Sequence, residues 1–172
     1  MGNWIIKFLG TAILIHGLLI WIGPEIVMRK LDRDLEAAKI FESECGERWV
    51  DGIFYINPSC LSNKQSARKP NPDFLYSLIP YDLSNGDLFV STPVPPNDRY
   101  WSIHAHNRNT DAFYRITNTE INGERFEFLI TNNKNKTSNI PIAYATSKKG
   151  VILNRLVMKD FSEYESLDIF RR

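Results

Sequence analysis

The chain is short of cysteine, and it has almost no charge imbalance. Only two of its 172 residues are cysteine, Cys45 and Cys60. Their separation excludes a C-x-x-C redox pair or zinc half-site. Two readings stay open: a disulfide closing a loop of about 15 residues, contributing roughly 3 kcal/mol in an oxidising compartment, or two unpaired thiols. Lys and Arg number 21 against 20 Asp and Glu. No basic excess points to nucleic acid, and no acidic tail to a cationic partner. The phosphate-cradling P-loop and the G-x-G-x-x-G turn are absent, as is the G-x-S-x-G nucleophile elbow. No paired-carboxylate motif or internal repeat stands out. No cofactor is expected.

What is present is a globular composition, 43% hydrophobic and 12% aromatic, enough for a single core with a short appendage. The appendage comes first. Residues 4–23, "WIIKFLGTAILIHGLLIWIG", are nearly all apolar, and about 20 helical residues match a hydrocarbon core of ~30 Å. Trp4 and Trp21 mark its two ends, where indole rings favour the headgroup level, and Lys7 can snorkel outward. A cleaved signal peptide would be shorter and end in a small-x-small site, which "IWIGPEIV" lacks. An uncleaved anchor over residues 1–24 is therefore expected, broken at Gly23-Pro24. His16 lies near mid-span, where an ionisable group raises a functional suspicion. It is a candidate contact to a second membrane subunit; a helix–helix hydrogen bond or a lipid-tolerated passenger are the alternatives. Arg29, Lys30, Arg33 and Lys39 follow the span, which by the positive-inside rule argues for a cytoplasmic domain.

Residues 25–56 read as a juxtamembrane helix, over about 25–43, and a connection. "NPSCLSNKQSARKPNP" in 57–73 reads as a loop. From Phe74 the period changes to two. "FLYSLIPYDL" is expected to be a strand with Pro80 at an edge or bulge. "SNGD" at 84–87 signals a hairpin, and "PPND", "NG" and "KKG" signal further turns. "RYWSIHAHN" alternates cleanly, with Tyr100, Ser102, His104 and His106 on one face and Trp101, Ile103 and Ala105 on the other. More short strands follow, and "FSEYESLDIF" reads as a C-terminal helix. Short strands at regular spacing imply an antiparallel sandwich or barrel over 57–172.

His104 and His106, about 7 Å apart on one strand face, suit two metal ligands or a general base with its helper. A third ligand would have to come from Asp73, Asp82 or Asp111. Two structural histidines on a half-exposed strand are the plainer reading. The aromatics around them, from Phe74 to Tyr114, are either sheet packing or a ligand groove. Asp82 and Asp111 are expected to cap turns or accept from backbone amides.

The stretch 70–114 resembles the domain-of-unknown-function 1254 family. The residues that carry the resemblance are Asn71 to Ser77, Tyr81-Asp82-Leu83, Asn85-Gly86, Pro93 and Arg99 to Ile103, within a core of about residues 68–130. His16, Pro24 and Met28 match the layout of a small membrane-anchored subgroup. The resemblance implies a jelly-roll type of antiparallel β-sandwich, so the expected fold class is mainly β behind one transmembrane helix and a juxtamembrane helix. It implies no known activity, and the His-x-His is not part of its pattern. In larger relatives this domain is fused to a second one, of the domain-of-unknown-function 1214 type. The implied expectation here is a second, also membrane-anchored protein supplying that half. The resemblance also tips the orientation towards export, giving a single-pass inner-membrane protein with an extracytoplasmic domain.

The expected function is that of a non-catalytic interaction module in the cell envelope. The alternative is half of an enzyme or small-ligand site, completed across a subunit interface, with Asp73, Tyr76, Arg99, His104 and His106 lining the cleft. No catalytic residue, resident metal or nucleic-acid partner is expected, and composition identifies no small-molecule ligand.

Overall fold

The apolar run and the segment after it form one helix in the computed structural model, which describes residues 3–38, 48–56, 71–96 and 99–172. Helix α1 spans Asn3–Ala38 with Pro24 inside it, so the expected break at Gly23-Pro24 does not occur. A proline forfeits one backbone hydrogen bond, but the halves on either side are each long enough to propagate helix through it. The first part is long and apolar enough to cross a membrane, and none of that window is buried. Beyond Pro24 the helix meets the domain. Met28 and Leu35 are buried, and they share a stripe with Glu25 and Asp32 at helical spacings. Arg108 reaches Asp32 at 2.9 Å and Glu25 at 3.8 Å. Trp49 Nε1 donates to the Leu35 carbonyl at 3.1 Å. Residues 39–43 of the expected juxtamembrane helix, Cys45 and Cys60 with the open choice between disulfide and free thiols, and most of the 57–73 loop lie outside the described residues.

The stretch expected to be a connection contains a hairpin, β1 (Arg48–Val50) and β2 (Ile53–Ile56). Its turn residues Asp51 and Gly52 have φ of 49° and 82°, the left-handed pair that matches the twist of a two-residue hairpin. The other strands are β3 (Phe74–Asp82), β4 (Leu88–Pro93), β5 (Trp101–Asn107), β6 (Ala112–Thr117), β7 (Arg125–Thr131), β8 (Ile142–Tyr144) and β9 (Lys149–Val157). A short helix, α2, closes the chain at Tyr164–Phe170, as expected. One sheet has six strands in the order β1-β2-β3-β9-β5-β6, and the other has three, β4-β7-β8. All pairs are antiparallel except β7 with β8. The chain is thus mostly β with antiparallel pairing, and both sheets are open. Jelly-roll winding is not visible in this topology.

Alternation sorts β5 as expected. Trp101, Ile103 and Ala105 are buried in one cluster with Leu75, Ile152 and Leu156 of the same sheet and Phe128 and Ile130 of the other. Tyr114 of β6 stacks on Phe128 with ring centroids 5.0 Å apart, an aromatic contact that joins the sheets. Pro80 lies beyond the end of β2, whose pairing stops at Leu78, so its missing N–H faces no partner strand.

Two expected turns are something else. Asn85-Gly86 does not close a hairpin, because β3 and β4 belong to different sheets. Asp82 instead caps a 3-10 turn at Leu83–Asn85 by accepting from the Ser84 N–H at 2.9 Å. Leu83 is drawn into the core while its own N–H donates to Lys148. The glycine of "KKG" lies inside β9. A Cβ on Gly150 would stand 2.1 Å from the His106 carbonyl oxygen and 2.5 Å from the Tyr81 hydroxyl, so the Tyr81 side chain lies over β9 only because this position is glycine. Replacing Gly150 by Val is expected to destabilise the fold by about 1–3 kcal/mol. Thermal unfolding measures this, and an unchanged midpoint would contradict the packing.

Candidate functional site

Residues directly opposite each other in paired strands share a sheet face. This rule extends the His-x-His face of β5 across the six-stranded sheet. One row is Ile56, Tyr76, Arg155, Ser102 and Thr117. The next is Phe54, Leu78, Leu153, His104 and Arg115. His106 lies a step further along, against Val151. These rows form the outer face, opposite the core. The second half of α1 lies on the same side, near one end of the sheet. Trp49, which contacts it, pairs with Phe54, and Arg108 directly follows β5.

The outer face becomes polar at β9, β5 and β6. Arg155 donates from Nε to Ser102 Oγ at 3.2 Å and from Nη2 to His104 Nε2 at 2.8 Å. A guanidinium only donates, so His104 Nε2 accepts, and the ring is neutral with its proton on Nδ1. Burial first, and then the charges of Arg155, His106 and Arg115, push His104 below its usual value of 6.5. His106 donates from Nδ1 to the Thr110 carbonyl at 3.0 Å. The two imidazoles stack, 6.2 Å apart and 17° from parallel.

The expected site residues divide. His104 and His106 come together, and Tyr76 shares their face two strands away. Asp73 and Arg99 serve elsewhere. Asp73 is exposed at the start of β3, where its carbonyl accepts from the Met158 N–H at 2.8 Å and stitches β3 to the end of β9. Arg99 forms a fork with Glu163, at 2.7 and 2.8 Å, and also donates to the Val157 carbonyl. The Tyr76 hydroxyl accepts from the Asn71 N–H at 3.2 Å. His16 lines a shallow groove along α1 with Phe8, Thr11, Ala12, Ile15 and Leu19. Among the described residues no three His, Cys, Asp or Glu side chains are placed to hold a metal ion. The candidate third ligands are occupied or distant: Asp82 with Ser84 and Lys149, Asp111 with Asn109.

Arg155, Arg115 and Ser102 were not among the sequence candidates. Their signal is faint: an arginine breaking an apolar strand at a period-two position, in "VILNRLV" and "AFYRIT". A second unanticipated centre lies across the sheet, where buried Asp168 of α2 accepts from Arg48 at 2.5 Å, Arg171 at 2.6 Å and Arg172. Arg171 also donates to the carbonyls of Tyr76 and Ile56 and sits 5.1 Å over the Tyr55 ring. Burial draws it down to about 10, so it stays charged at neutral pH and clamps α2 onto β2 and β3.

The Arg99–Glu163 fork carries a pH signature. Bonding to Arg99, followed by the Lys159 N–H, holds Glu163 at about 2 instead of 4.5. A depressed carboxylate contributes stability that is complete above its unfolded value and is lost as pH falls through its folded one. Glu163→Gln is therefore expected to flatten the loss of stability between about pH 4.5 and 2, leaving the share of Asp82, also held at about 2. Denaturation midpoints across that window measure it; an acid slope identical to the parent's would contradict the pairing.

Residues 54–172 match the model of a family described as "Protein of unknown function (DUF1254)", a wider span than the motif core. A search of curated proteins found no match. Among solved structures, the VPA0106 protein of Vibrio parahaemolyticus is similar with a TM-score of 0.51 at 14% identity, over 59% of this chain and 26% of that one. An uncharacterized protein from Burkholderia cenocepacia gives a TM-score of 0.42 at 12% identity, over 51% and 27%. The matched region is thus about a quarter of each of those solved proteins. The Vibrio likeness is one of fold. With the family match covering most of the chain, from the β2 strand to the last residue, the chain belongs to the DUF1254 family.

Proposed function

We propose that this protein is a single-pass inner-membrane module with an extracytoplasmic β-domain, and that it assembles with a second membrane-anchored protein carrying the domain type fused to it in larger relatives. The observation that carries the reading is the continuity of α1. Its first part offers exposed apolar side chains to a bilayer, and its second part buries Met28 and Leu35 and pairs Asp32 with Arg108. The domain is thereby held in one pose at the membrane surface, not on a free tether. In that pose, among the described residues, β6 and the three-stranded sheet present open strand edges, the backbone template a partner strand uses. The exposed aromatics Phe89 and Tyr144 lie on the smaller sheet. Partner strands added at these edges would give the closed, jelly-roll-like form expected for the family. Within the bilayer, Thr11, Ala12 and His16 line one groove, the small and polar combination that packs membrane helices.

A second reading, a small-ligand site on the outer face, is favoured by the Arg155–His104 pair and by Arg115 beside it, which has no carboxylate partner among the described residues.

Photo-crosslinking residues placed at His16 and Ala112 of the full chain, in native membranes, test the assembly. Both positions are expected to join the chain to the same protein, one with a span of its own and the second-domain type. Crosslinks only to another copy of this chain, or none from either position, would overturn the reading.

A further inference from the structure

We propose that the outer face of the six-stranded sheet carries an oxyanion-binding site in which Arg155, aimed by Ser102 and His104, and neighbouring Arg115 offer their free N–H donors to a small carboxylate or phosphate group. This rests on the second of the two readings above, not on the assembly.

The argument begins with how the arginines are neutralised. Arg29, Arg48, Arg99, Arg108, Arg171 and Arg172 each reach a carboxylate. Arg155 is half-buried, yet its bonds go to two neutral groups, Ser102 Oγ and His104 Nε2. Desolvating a guanidinium without a counter-charge is costly, and a second arginine makes it worse. Arg115, itself exposed, is paired directly with His104 across the β5–β6 ladder, close enough for its charge to act on that imidazole. Among the described residues neither arginine has a carboxylate partner. Glu120, in the 3-10 turn that follows β6, accepts at Oε2 from the hydroxyl and N–H of Thr117.

A count of donors then gives the ligand's chemistry. Of the five N–H groups on Arg155, two are used, leaving three, and Arg115 keeps its whole fork. Because His104 accepts at Nε2, its Nδ1–H points away from Arg155, and the imidazole serves to position that guanidinium. Among the described residues the face is rich in donors and positive charge and offers no matching carboxylate, which is what a carboxylate or phosphate ligand supplies. Ser102 is buried and accepts from Arg155, so it is a positioning residue that aims the guanidinium. His106 stands apart from the donor set, since its Nδ1–H is spent on Thr110.

The test is titration calorimetry of the full chain in mild detergent, with inorganic phosphate and with succinate as separate probes and in competition. Saturable binding of at least one probe is expected, and mutual displacement if both bind, with the tighter one identifying the source of the oxyanion. Arg155→Gln and Arg115→Gln are each expected to weaken it about tenfold or more. Arg125→Gln, which removes an exposed arginine on the smaller sheet, is expected to leave it unchanged. Arg155→Lys keeps the charge and loses the fork, so it is expected to weaken binding while a thermal melt shows the domain folded. No saturable binding of either probe, or equal weakening by Arg125→Gln, would overturn the site. The crosslinks to a partner protein are expected to survive in Arg155→Gln, which separates failure of this site from failure of the assembly.

Discussion

The ladder that β9 forms with its two neighbours is the constraint on which the rest of the structure depends. This strand pairs from Phe74↔Val157 to Asp82↔Lys149 with β3, and from Trp101↔Leu156 to Asn107↔Gly150 with β5. Its inward side chains, Ile152 and Leu156, are sealed in the core beside Trp101, Ile103 and Ala105. Shifting β9 by one residue would put Ile152 and Leu156 on the outer face and turn Arg155 inward. The burial of large apolar residues, each contributing on the order of 1.5–3 kcal/mol, therefore also decides where the polar residues go. Arg155 stands opposite Ser102 and next to His104 because the core permits no other register.

The same ladder ties α1 to the domain. At the end of β5, buried Asn107 accepts through Oδ1 from the N–H groups of Thr146 and Ser147, which binds the loop leading into β9. The next residue, Arg108, donates its backbone N–H to Ser147 Oγ and sends its side chain to Asp32 of α1. A polar corner built on one strand end thus couples the packing of the sheet to the direction of α1. On the other face of the sheet, Asp168 and Arg171 do the corresponding work for α2.

Much of this was legible in the sequence because period-two alternation is a local signal. The two faces of β5, the apolar span, the C-terminal helix and the family all follow from short stretches read by themselves. The misses are places where distant parts of the chain decide. "NGD" has hairpin chemistry, but Asp82 caps a 3-10 turn and Leu83 is wanted by the core, so the chain changes sheets there. Gly150 looks like a turn glycine until the Tyr81 side chain is laid across it. The Asp51-Gly52 hairpin was hidden by the helical reading of the residues before it. For the candidate site, the histidines were visible as a motif, whereas Arg99 and Asp73 were family landmarks that hold the fold together. Arg155 and Arg115 could not be placed beside His104 without the β9–β5–β6 order, which no local pattern reveals.

The most direct measurement is the tautomeric state of His104, read from its imidazole ¹⁵N chemical shifts in the full chain at neutral pH. If β9 and β5 hold the register described here, Arg155 donates to Nε2 and the spectrum shows a neutral ring protonated on Nδ1. A ring protonated on Nε2 would mean that Arg155 does not face it, and the account of the outer face would be wrong.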